Sequence, residues 1–109
     1  MSPRNPYDVA RKLLDKYGLQ DWQVIFRSLR PPTIGNCDYR SKTIRIDRMF
    51  IEPRFKTLYQ FRQILLHEIA HALTPPHLPT HGKEWLKKAE EIGCAKKELR
   101  PYYKCGDAS

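Results

Sequence analysis

Leu58-Tyr59-Gln60-Phe61-Arg62-Gln63-Ile64-Leu65-Leu66-His67-Glu68-Ile69-Ala70-His71-Ala72-Leu73 reads as one long amphipathic helix. Leu58, Phe61, Ile64, Leu65, Ile69, Ala72 and Leu73 recur at the three- and four-residue spacing of a single helical face. Thr57-x-x-Gln60 resembles a capping box at its start. Pro75-Pro76 ends it by withholding backbone donors and restricting Thr74. Within this helix, His67-Glu68-Ile69-Ala70-His71 is an H-E-x-x-H string. Positions i and i+4 of a helix lie one turn apart on the same face, so His67 and His71 can offer two imidazole nitrogens to one zinc ion. Glu68 follows the first ligand, where a carboxylate can take the proton of water that zinc activates for attack on a carbonyl.

Upstream, Asn5-Pro6 reads as an N-cap followed by proline at the first helical position. Val9, Leu13, Leu14 and Tyr17 continue with helical spacing until Gly18 stops the helix. Trp22 to Leu29 is a strand candidate, with Trp22, Val24 and Phe26 on one face, closed by Pro31-Pro32. A second strand covers Ile34 to Tyr39. Arg40-Ser41-Lys42 turns the chain, and Thr43 to Asp47 returns as a third strand with Ile44 and Ile46 on a shared face. Downstream, a loop from Thr74 to Thr80 leads to a last helix that opens near His81-Gly82. That helix carries Trp85, Leu86, Ala89 and Ile92 and closes at Gly93. The tail after Leu99 has no clear period. The order helix, three strands, helix, helix predicts an α+β fold with a three-stranded, mostly antiparallel sheet.

The chain has 109 residues, the size of one small domain, and a monomer is expected. Its 20 Lys+Arg against 12 Asp+Glu leave a net charge of +8, a balance that fits a polyanion such as nucleic acid as well as a plain solvated surface. The basic residues run through the whole chain without a dominant block, which predicts a folded patch in place of a basic tail. Three cysteines, Cys37, Cys94 and Cys105, make an odd count with no C-x-x-C, which argues against a disulfide framework and against an all-cysteine zinc ribbon. Neither a signal peptide nor a membrane-spanning apolar run is visible, so an intracellular location (cytoplasm, nucleoid or nucleus) is expected, with no secretion.

A catalytic zinc takes three protein ligands and keeps a fourth position open. Two histidines remain for the third place. His77 lies six residues after His71, the spacing of metzincins and of the bacterial metal-dependent endoribonucleases that mature ribosomal RNA. The metzincin glycine is replaced here by Thr74, and both methionines, Met1 and Met49, lie upstream of the motif that a methionine turn should follow. The endoribonucleases lack the glutamate that stands here as Glu68. His81 instead opens His81-Gly82-Lys83-Glu84-Trp85, an H-G-x-x-W segment a loop's length after H-E-x-x-H.

Taken with that segment, the chain resembles the SprT-like, or Spartan-type, metallopeptidase family. Trp22-x-Val24-x-Phe26 is similar to the family's W-x-V-x-F strand. Ile34-Gly35 ahead of Ile44-x-Ile46 is similar to its glycine hairpin, and Trp85 and Ile92-Gly93 fall at apolar positions of its closing helix. The resemblance is strongest over residues 21–93 of a single domain spanning 1–109, and it implies a zincin-like minimal protease core. It also implies a zinc-dependent metallopeptidase with His81 as third ligand to Zn2+ beside His67 and His71, and Glu68 as general base. The implied substrate is protein on or near DNA, including DNA–protein crosslinks, which would be a role in DNA repair. The zinc ribbon or long tail often found after the family's core is missing from this sequence, so DNA contact would rest on the core's own basic surface or on a partner. Tyr102 and Tyr103, beside Arg100 and Lys104, are the candidates for contacting DNA, with single strands favoured through stacking. Those tyrosines could also donate to an oxyanion, with packing as the plainer role. Two other readings stay open: an endoribonuclease using His67, His71 and His77, and a zinc-stabilised nucleic-acid-binding module without catalysis.

Overall fold

The computed structural model describes residues 6–30, 33–51, 58–78, 82–94 and 104–106, the segments 58–60 and 104–106 by their backbone. Helix α1 spans Pro6–Lys16, and strands β1, β2 and β3 span Gln23–Arg27, Thr33–Asp38 and Thr43–Asp47. A 3-10 turn over Arg48–Ile51 precedes helix α2, Leu58–Ala72. Helix α3 covers Lys83–Glu91, and a three-residue strand β4 covers Lys104–Gly106. The expected helix, strand and helix order is therefore present, as an α+β fold. The stops are those the sequence announces: Gly18 and Gly93 both adopt positive φ, at 78° and 91°, where a side chain would be strained. Asn5, Pro31, Pro32 and Thr57, expected at other boundaries, lie outside the described residues.

The sheet departs from expectation in composition and direction. Four strands run in the order β1-β3-β2-β4. Only β2 and β3 pair antiparallel, while β1 with β3 and β2 with β4 pair parallel, so the sheet is mixed and not mostly antiparallel. The cause is non-local. Ile44 and Ile46 make β3 the most buried strand, and it takes the centre between β1 and β2. The chain must then pass over the end of β3 on its way from β1 to β2. Asp47 fixes that passage, its carboxylate accepting from the backbone N–H of Leu29 at 3.0 Å and of Met49 at 3.0 Å.

Paired positions share a side of the sheet, so Val24, Ile44 and Cys37 form one row and Phe26, Ile46 and Gly35 the next. This face meets the helices. Phe26 stacks with Tyr7 of α1 at 4.9 Å and Phe61 of α2 at 5.7 Å between ring centroids. On the face turned away from α1 and α2, Arg45 reaches Asn36 at 3.3 Å and Asp38 at 3.0 Å, a polar ladder.

Helix α2 is not amphipathic in the way its apolar spacing predicts. Gln63, Leu66 and Ala70 are buried along with Phe61, Ile64, Leu65 and Ile69. The helix packs on β2 and β3 and is flanked by α1 and α3, so almost its whole circumference is covered. Its last two turns are enclosed as well, and they carry His67, Glu68 and His71.

Candidate metal centre

His67, Glu68 and His71 are all buried, and Glu68 has no exposed surface at all. The two imidazoles stand one helical turn apart with ring centroids separated by 5.1 Å. Enclosing three polar side chains in a small core is expensive unless they have partners or a bound ion to serve. The surrounding residues form a defined seat.

One wall is Trp85 of α3. Its indole lies 4.7 Å from the His67 ring and 5.2 Å from the His71 ring, and its N–H donates to the His67 carbonyl at 3.4 Å. The opposite wall is the backbone of β2. A Cβ added to Gly35 would come within 3.0 Å of Glu68 Oε2 and 3.4 Å of Ile64 Cγ2, so glycine gives the carboxylate room to sit close against the strand. Cys37 follows two residues on, on the same face. Burial pushes its thiol pKa up, and the negative charge of Glu68 pushes it further, with Asp38 adding a smaller effect.

Tyr39, two positions further, closes the end of the site. Its hydroxyl donates to the carbonyl of His71 and lies 3.2 Å from that of Thr74. The Thr74 hydroxyl in turn donates to the Ala70 carbonyl at 2.6 Å. The last carbonyls of a helix have no partner within it, and here two side chains supply partners just before Pro75 stops the chain. The final turn bearing His71 is thus tied to the strand bearing Gly35.

This donor set fits zinc. Two imidazoles at i and i+4, with a carboxylate beside them in a glycine-lined gap, supply the nitrogen ligands and the base that a catalytic site uses. Among the described residues, no three His, Cys, Asp or Glu side chains form a metal-holding group. His77 is exposed on its loop and does not join His67 and His71 in one. His81 lies outside the described residues, and its neighbour Gly82 occupies the N-cap of α3, the helix that brings Trp85 onto both imidazoles. Arg100, Tyr102 and Tyr103 also lie outside them, and Lys104 is placed by its backbone at the start of β4, paired with Thr33.

The residues that sequence reasoning overlooked are Tyr39, Cys37 and Trp85 in its contact with the ligands. A signal for the first two existed. Gly35 and Cys37 alternate along β2 and Tyr39 continues the period one residue past its end, so a glycine at the site points to the residues two and four positions on.

The sequence matches the SprT-like family over residues 8–104, nearly its whole length. The chain belongs to the SprT-like family. The match extends beyond residues 21–93, where the motifs are most legible, to take in α1 and the start of β4. Among solved structures, this SprT-like chain is similar to the crystal structure of the metallopeptidase zymogen of Pyrococcus abyssi abylysin. The TM-score is 0.66 and the identity 22%, over 86% of this chain and 87% of that one. At that identity the likeness is one of fold. No curated protein matches the sequence. No helix among the described residues is long and apolar enough to cross a membrane.

Proposed function

We propose that this SprT-like protein is a zinc-dependent metallopeptidase that hydrolyses peptide bonds in DNA-associated or DNA-crosslinked proteins. One observation carries the reading: Glu68 is fully buried beside two imidazoles one turn apart, with the Gly35 backbone opposite. Family membership and the metallopeptidase fold of the abylysin neighbour support it.

In this reading His67 and His71 hold the ion and His81 is the third ligand. Bound there, zinc supplies Lewis acidity and brings the pKa of water towards neutrality. Glu68 takes a proton from the attacking water and later returns it to the leaving amine, the task of one carboxylate serving in turn as base and acid. Gly35 leaves the carboxylate room, and Tyr39 holds the turn that presents His71. The nuclease arrangement needs His77 beside the other two histidines, and its exposed position gives that reading no support.

The DNA-directed part rests on the net charge of +8 and on exposed cations such as Lys12 and Lys16 on α1 and Lys83 and Lys87 on α3. The same proposal takes the protein to be an intracellular, monomeric, single-domain enzyme. Glu68→Gln tests the chemistry. The variant keeps the shape of the side chain and cannot take a proton, so casein cleavage should fall by about a hundredfold or more. Zinc content of the purified variant should match the parent. Undiminished cleavage by Glu68→Gln would remove the mechanism, and a parent protein that binds no zinc would remove the metal centre.

A further inference from the structure

Imidazole rings turn easily. The terminal torsion of a histidine side chain has broad wells and does not by itself fix where a ring nitrogen points. A metal site nevertheless needs its donors held to within about half an ångström and 10–20°, which neighbouring side chains must enforce. Among the described residues, Trp85 is a side chain in contact with both the His67 and the His71 ring.

We propose that Trp85 is a positioning residue of the zinc site, an aromatic wall that fixes both helix-borne imidazoles and docks α3 against them. The inference rests on the metallopeptidase reading and adds a residue to it. Three features set Trp85 apart from an ordinary core side chain. Its ring lies tilted by 31° against His71 and by 63° against His67, so one indole restrains two imidazoles in different planes. Its N–H is spent on the His67 carbonyl, on the same turn that carries the ligand. Its helix is capped by Gly82, next to His81 in sequence, so the contact that orients two ligands also docks on α2 the helix that directly follows the third candidate in the chain. Trp85 touches neither substrate nor reacting atoms in this scheme and acts through the histidines. Residues that orient metal ligands in this way are worth about 10–100-fold in metal affinity.

Trp85→Leu and Trp85→Phe distinguish this role from packing. Zinc affinity is read by competition with a chromogenic chelator. Melting temperature is read in metal-stripped and zinc-loaded protein, because a ligand that binds only the native state raises it by an amount that grows with the logarithm of its affinity. Trp85→Leu should bind zinc about tenfold more weakly or worse, and the rise in melting temperature on adding zinc should shrink. Trp85→Phe, which keeps a ring, should stay within about threefold of the parent. Leu14→Ala, a core change on α1, should lower both melting temperatures and leave zinc affinity unchanged. Should Trp85→Leu not fold, Trp85→Met carries the same comparison. Parent-like zinc affinity in a folded, destabilised Trp85→Leu would overturn the proposal and return Trp85 to the core. Absence of zinc binding by the parent is a different result, which would remove the metal reading and this inference with it.

Discussion

Gly35 and Glu68 are matched across the interface of β2 and α2: a methyl group on the glycine would stand 3.0 Å from the carboxylate oxygen Oε2. Ile64 and the Arg45 carbonyl confine the same point from either side, at 3.4 Å and 3.5 Å. Gly35→Ala should therefore push the carboxylate from its seat. Overpacking of this kind costs about 1–3 kcal/mol, so the melting temperature should fall. Casein cleavage should fall further, by about tenfold or more if the base has moved, while zinc content holds. Full activity in Gly35→Ala would show that the strand does not place Glu68.

The helix that carries the site was legible because its signals are local. H-E-x-x-H fixes three residues by helical spacing, and Gly18, Pro75 and Gly93 mark ends that the structure reproduces. The β2–β3 hairpin was legible for the same reason, its turn being set by Asp38, whose carboxylate accepts from Arg40 and Ser41 N–H at 3.0 Å and 3.3 Å. What could not be read were choices made at a distance. Nothing in Gln23–Arg27 says that it pairs with Thr43–Asp47 in parallel and leaves β2 to the far side. Nor does the spacing of α2 reveal that α1, α3 and the sheet together bury both sides of it. The period of two after Gly35 points Tyr39 towards the site, but not to its partner His71, which lies 32 residues away.

The ligand assignment predicts a ranking. His67→Ala and His71→Ala should abolish stoichiometric zinc binding, because each removes a buried donor on α2. His81→Ala should weaken binding strongly and His77→Ala hardly at all, since His77 is exposed on its loop. Metal analysis of the four purified proteins decides this. A larger loss at His77 than at His81 would move the third ligand into the loop and revive the nuclease spacing.

Tyr39→Phe removes one hydroxyl and leaves the ring that stacks edge-on against Trp22, 6.1 Å away. The carbonyls of His71 and Thr74 then lose a donor. Urea unfolding of the metal-free protein should show a loss of about 0.5–1.5 kcal/mol. The last turn of α2 should also fray, seen as faster amide exchange at Leu73 and Thr74, whose N–H groups bond back to Ile69 and His71. Unchanged exchange there would mean that Pro75 alone holds the helix end.

Cys37 supplies a pH signature. Its thiol pKa is raised in the fold above the ordinary 9.0, by burial first and by the charge of Glu68 second. The unfolded chain therefore releases this proton at lower pH than the native one. The associated stability is present below about pH 9 and is lost as pH rises beyond it. The fall in unfolding free energy between pH 8 and 10 should be shallower in Cys37→Ala than in the parent. Native Cys37 should also resist iodoacetamide at pH 8 under conditions that label the unfolded chain fully. Equal slopes in the two proteins would refute the shift.

DNA binding is the boldest expectation, because it depends on charge in place of a motif. A net charge of +8 on 109 residues gives attraction to phosphate without base recognition, so affinity should depend weakly on sequence and steeply on salt. The logarithmic slope of affinity against salt counts the phosphates engaged, at about 0.7 per contact on single strands and 0.9 on duplex. Stacking on Tyr102 and Tyr103 should favour single strands. Replacing both with Ala should erase that preference while leaving the salt slope in place, whereas Arg100→Ala with Lys104→Ala should reduce the slope by up to two contacts. Fluorescence anisotropy of labelled single-stranded and duplex DNA at rising salt separates the two effects. No binding at low ionic strength would leave a peptidase directed to protein alone, with its positive charge serving acidic substrates.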